Sequence, residues 1–149
     1  MEIDQNRESL TRELSEAGLS GKYGEPGDLL YVRVWIRDKF RCVYCGEDLL
    51  KDRIRMTSDQ LDHLLPKSKY KEYAALPANL VLSCFTCNQI KRNFDPLAKL
   101  PEVRAKISPK TFEAYQSTLI EECQHFLKSL LKVKDDILAG SIAIVMRNR

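Results

Sequence analysis

The residues with chemical potential in this 149-residue chain are four cysteines in two Cys-x-x-Cys pairs, Cys42/Cys45 and Cys84/Cys87, with Asp62-His63 between them and Asn88 directly after the second pair. Each Cys-x-x-Cys turn lets two thiolates face one ion, and two such turns complete the tetrahedral shell that zinc favours. A closed four-cysteine shell leaves no position for water, so its role is structural. The long gap from Cys45 to Cys84 leaves room for an inserted hairpin, and Asp62-His63 lies within it. A redox reading of the thiols needs one reactive pair near a βαβ pattern, and none is visible. With the knuckles clamped, a carboxylate, an imidazole and an amide are expected to converge as a hydrolytic site.

The positioning elements follow from pattern. Asp4–Ala17 reads as a short capped helix ended by Gly18, and Leu19–Asp28 as a glycine-rich linker. Leu29–Asp38 fits a helix or an alternating strand, with the helix favoured. Ile54–Leu65 suits a strand or hairpin arm stopped by Pro66, Lys67–Pro77 a polar loop, and Leu80–Leu82 a short strand. A helix is expected to begin at Asn88, limited by Pro96. Ser108-Pro109 opens a long helix that runs to Ala139, where Gly140 ends it. Along that helix Leu119, Cys123, Phe126, Leu130, Val133 and Ile137 form a seam of alternating four- and three-residue steps. Cys123 reads there as a small buried hydrophobe, and His125 as a surface residue. The division is 1–28 (helix and linker), 29–107 (core with knuckles) and 108–149 (helical extension).

Charge agrees with a polyanionic partner. Residues 1–30 carry a net −4, residues 31–110 a net +7 and residues 111–149 zero, so the positive charge lies in the segment that bears the knuckles. Arg37, Lys39, Arg41, Lys67, Lys69, Lys71, Lys91 and Arg92 cluster around the motif elements, with Arg41, Lys67, Lys69, Lys91 and Arg92 as the expected phosphate contacts. Tyr70 and Tyr73 suit either base stacking or core packing. No run of about 18 apolar residues spans a membrane, and the acidic N-terminus lacks a signal core. The expected setting is a reducing cytoplasm, where paired thiols bind metal.

The stretches Cys42-Val43-Tyr44-Cys45-Gly46, Leu61-Asp62-His63-Leu64-Leu65-Pro66 and Asn79 through Lys91 together resemble the HNH endonuclease family in its zinc-knuckle form, over roughly residues 33–95. The resemblance implies an α+β, ββα-metal core, flanked here by an N-terminal helix and a long C-terminal one. It also implies DNA phosphodiester cleavage with one divalent cation. Carried over, His63 is the general base, Asp62 a metal ligand, Asn79 the residue that steadies the loop, and Asn88 the third motif position in an H-N-N variant. Where the family often has Gly-Gly after Pro66, this chain has Lys67-Ser68-Lys69-Tyr70-Lys71-Glu72-Tyr73.

The chemistry is coherent on its own terms. Imidazole, with an unperturbed pKa near 6.5, can accept a proton from water at neutral pH. Oxygen donors from Asp62 and Asn88 suit Mg²⁺ or Mn²⁺. Adjacent strand residues point to opposite faces, so Asp62 and His63 can share one site only where a strand ends. The competing reading is a non-catalytic zinc module that binds nucleic acid on the same scaffold. The long helix over 108–139 is expected either to cover the core or to pair with another copy or a partner protein.

Overall fold

The computed structural model describes residues 26–149. The expected helix at Asp4–Ala17 and most of the glycine-rich linker lie outside them. Helix α1 (Pro26–Arg37) starts with proline at its first position, where a missing N–H costs nothing, and ends on Arg37. Val34 is buried, and Trp35 sits edge-on to Tyr31 at 5.3 Å. Arg37 ties α1 to the core by donating to the carbonyls of Pro77 (2.9 Å) and Leu80 (2.5 Å). Asp38 accepts the Leu82 N–H at 2.8 Å.

The chain then turns through the first knuckle. Gly46 takes φ +75°, the left-handed conformation that a residue without Cβ adopts freely, and its N–H closes onto the Cys42 carbonyl at 2.8 Å. The stretch expected as one strand arm from Ile54 divides in two. Asp52 caps a short helix, α2 (Arg53–Thr57), by accepting the Arg55 N–H, and strand β1 is confined to Gln60–His63. Local capping wins there because Ile54 has no core to enter and stays 77 % exposed. β1 pairs antiparallel with β2 (Leu80–Ser83), His63 opposite Leu80 and Asp62 opposite Val81.

Helix α3 (Phe85–Lys91) follows β2 directly. It begins earlier than Asn88, because the Cys84 sulfur caps it by accepting the Cys87 N–H at 3.3 Å. Asn88 therefore stands inside the helix rather than at its start. After the short helix α4 (Pro101–Lys106), helix α5 runs over Phe112–Arg147. Ser108 and Thr111 form a hydrogen-bonded turn ahead of it, which moves the start past Pro109. Gly140 does not stop α5: a single helical glycine costs only about 1 kcal/mol relative to alanine.

The fold is α+β, with a two-stranded antiparallel sheet, α3 packed behind it and α5 laid across both. The main core joins Tyr44, Leu64, Leu65 and Val81 to Phe112, Leu119, Cys123 and Leu127. Phe126 stacks on Phe94 at 3.9 Å. The expected seam therefore holds through Phe126 with Leu127 added, but Val133 and Ile137 are exposed. Burial pushes the Cys123 thiol up to about 12, in keeping with an inert buried hydrophobe. No described helix is long and apolar enough to cross a membrane.

Candidate active site and thiol cluster

The sulfurs of Cys42, Cys45, Cys84 and Cys87 lie within 4.8 Å of one another. Two come from the turn after α1 and two from the β2–α3 junction, and Val43 N–H on the Leu82 carbonyl (3.0 Å) docks the first pair against β2. Hydrogen bonds from Cys45, Cys84 and Cys87 pull the Cys42 thiol far below its ordinary range. The same kind of contact, led by that with Cys42, pushes Cys87 far above it. The four groups compete for ionisation, so they all become thiolates only around a cation. Sulfur donors, number and proximity suit one zinc ion.

About the end of β1 an open cavity of about 830 Å³ is lined by Asp62, His63, Asn88, Lys67, Lys71 and Arg92, among others. His63 is the last residue of β1, so the strict alternation of the strand stops there. Its Nε2 lies 3.0 Å from the Ala74 carbonyl. A carbonyl only accepts, so Nε2 carries the proton and Nδ1 presents its lone pair. The loop that supplies Ala74 is pinned by Asn79. This fully buried amide accepts the Leu65 N–H at 2.7 Å and donates to the carbonyls of Tyr73 (3.1 Å) and Leu65 (3.3 Å). Asn79 thus acts on His63 through the loop and does not line the cavity.

Asp62 is buried. Its Oδ2 accepts the Tyr44 hydroxyl at 2.5 Å and the Lys91 ammonium at 3.0 Å, while Oδ1 has no partner among the described residues. Burial first, then the Asp62 charge, raises the Tyr44 phenol well above its ordinary range, which keeps it a donor. The Asn88 carboxamide, half-exposed in the second turn of α3, has no protein hydrogen bond among the described residues. Asp62 and Asn88 both line the cavity, and their side-chain oxygens are hard donors of the kind Mg²⁺ or Mn²⁺ takes.

The basic residues divide. Lys67 and Arg92 line the cavity with exposed side chains. Lys69 is exposed and pairs with Asp95. Arg41 donates to the Gly46 carbonyl at 3.1 Å, away from the cavity. Lys91 departs from its expected role as a phosphate contact. It is fully buried, donating to the His63 carbonyl at 2.8 Å as well as to Asp62. One helical turn from Asn88 places it against the back of β1 instead of in the cavity. Tyr73 is likewise buried against Phe112 at 5.4 Å and does not offer a stacking face. Lys71, expected among the basic residues around the motif, does line the cavity. Tyr44 is the addition to the site, and the aromatic between Cys42 and Cys45 is its one available signal.

A buried ion pair that loses one partner leaves an uncompensated charge. Lys91→Met is therefore expected to cost about 3 kcal/mol of stability, read from the urea midpoint, and Asp62→Asn in the same chain should recover part of it. A single variant that unfolds at the wild-type midpoint contradicts this account of Lys91.

Residues 42–94, which hold the thiol cluster, both strands and the cavity walls, match the family described as HNH endonuclease. Comparison with curated proteins returns no match. The span of the match coincides with the sequence motifs and with the ββα arrangement that carries them, so residues 42–94 are the part of the chain that is similar to the HNH endonuclease family.

Proposed function

We propose that the protein is a metal-dependent endonuclease that hydrolyses phosphodiester bonds in DNA. The observation that carries this reading is the state of His63: Nε2 is held by the Ala74 carbonyl and Nδ1 has no partner among the described residues, in a cavity shared with Asp62 and Asn88. A base must have its accepting atom open and its ring fixed before substrate arrives. His63 Nδ1 takes the proton from a water molecule whose oxygen attacks phosphorus, and the opposite P–O bond breaks. Asp62 Oδ1 and the Asn88 amide oxygen would hold the divalent cation. When bound, such a cation supplies charge neutralisation at the phosphate and leaving oxygen. Lys67, Lys71 and Arg92 bring the flanking phosphates to the cavity rim by charge, without reading bases. Cys42, Cys45, Cys84 and Cys87 would hold a zinc ion that supplies no chemistry, and by doing so they would fix the β2–α3 junction four residues before Asn88.

The deciding experiment is incubation of the zinc-loaded protein with supercoiled plasmid in Mg²⁺ or Mn²⁺. Relaxed or linear product that depends on the added metal is expected. Retarded plasmid with no cut strand in either metal would refute hydrolysis and leave a nucleic-acid-binding module.

A further inference from the structure

Helix α5 leaves the body of the protein at Leu131. Before that point Leu119, Cys123 and Leu127 are buried. Beyond it Val133, Ile137, Leu138, Ile142, Ile144, Val145 and Met146 are all more than half exposed. The ten residues 137–146 contain no charged side chain. A solvated helix that is apolar over so much of its circumference is an interface lacking its partner.

Leu131, at the root of this arm, lines a second cavity of about 470 Å³ together with Leu49, Ile54, Phe85, Cys45 and Glu47. Ile54 and Phe85 in its wall are 77 % and 52 % exposed. The groove is thus apolar and open, and it lies beside the thiol cluster. A zinc ion with four thiolates carries a net charge of about −2. In the groove wall Glu47 and Arg55 pair with each other, so the negative charge beside the groove is that of the thiolates. The arm is complementary: an apolar stretch ending in Arg147 and Arg149.

The arm cannot fill its own groove. It starts there, and fifteen residues of continuous helix at about 1.5 Å each carry Met146 roughly 22 Å away. A second copy can fill it. If two arms lie antiparallel with Leu131 of one beside Met146 of the other, each tip enters the groove at the other's root, and the contact closes on a two-fold axis. We propose that the distal half of α5 is a self-association arm, whose tip docks in the groove formed by Ile54, Phe85 and Leu131 of a second copy.

Sedimentation velocity of the full zinc-loaded chain in reducing buffer, from about 1 to 100 μM, tests this. A concentration-dependent dimer is expected. Val145→Asp with Met146→Asp at the tip, and separately Ile54→Asp in the groove, should each weaken it at least about tenfold. All three positions are exposed, and zinc content with circular dichroism checks their folding. An equimolar mixture of the tip and groove variants should regain part of the association, because their heterodimer keeps one intact tip–groove contact. Independently, a photoreactive phenylalanine derivative at position 146 should cross-link to the segment around Ile54 or Phe85 of another copy. A wild-type chain that stays monomeric throughout overturns the proposal. So does a dimer unmoved by both variants, or cross-linking only within one copy.

Discussion

His63→Ala is expected to lower the plasmid-nicking rate by about 10²–10⁴-fold, the usual worth of a positioned general base. The imidazole is half-exposed at the end of β1, so its removal costs little packing. Zinc content, urea midpoint and plasmid retention should remain close to wild type. What disappears is the lone pair at Nδ1, held in place through Nε2 and the Ala74 carbonyl 3.0 Å away. His63→Gln keeps a polar group and the Ala74 contact but lacks a basic nitrogen, and it should be nearly as inactive. Retention of wild-type nicking by either variant would mean that the proton goes elsewhere, and the role given to His63 would fall.

Loss of zinc should have the other large effect, on the fold itself. Cys42 and Cys87 are both buried within the main core, next to Tyr44 and Val81. Without a cation the four sulfurs cannot share the same small volume as thiolates. Structural zinc sites contribute on the order of 10 kcal/mol to folding, which exceeds the stability of a typical small domain. Treatment with a strong chelator, or Cys87→Ser, is therefore expected to abolish cooperative thermal unfolding by circular dichroism and nicking with it. Re-addition of zinc should restore both to the chelated wild type and not to the variant. A chelated protein with an unchanged melting transition would show that the cluster contributes nothing to stability.

Nicking that is lost in both cases has different causes. In His63→Ala the cavity is expected to stay formed, with only the proposed proton acceptor missing. In the zinc-free chain the β2–α3 junction loosens, and with it the helix that presents Asn88. Lys91 extends this dependence. It is fixed on α3, and its ammonium holds the His63 carbonyl and the Asp62 carboxylate. Displacing α3 disturbs both neighbours at once.

The chemistry-bearing residues were legible because their types and spacing are local signals. Two Cys-x-x-Cys turns, Asp62-His63 and Asn88 stand out without any knowledge of packing, and so does the strand at Leu80, whereas the proline-led start of α1 reads as linker and its helix is favoured only from Leu29. The onset of the long helix was placed within a few residues for the same reason. What failed was decided by contacts distant in sequence. Lys91 looked like a phosphate contact because it stands one turn after Asn88. Three residues on a helix leave it rotated by about 60° from Asn88, enough to turn it from the cavity to the Asp62 carboxylate. Spacing cannot say which side of that boundary a side chain takes. The division at Ile54 depended on Asp52 capping α2, and the persistence of α5 through Gly140 on the small cost of one glycine. The sequence by itself determined the four clustered thiols, the ββα order and the long helix, since these follow from side-chain chemistry and short-range periodicity. Only the tertiary structure decided that Nδ1 of His63 is the open nitrogen, that Lys91 is a buried counter-charge, and that α5 outruns the core at Leu131, because each depends on which surfaces meet after the chain has closed on itself.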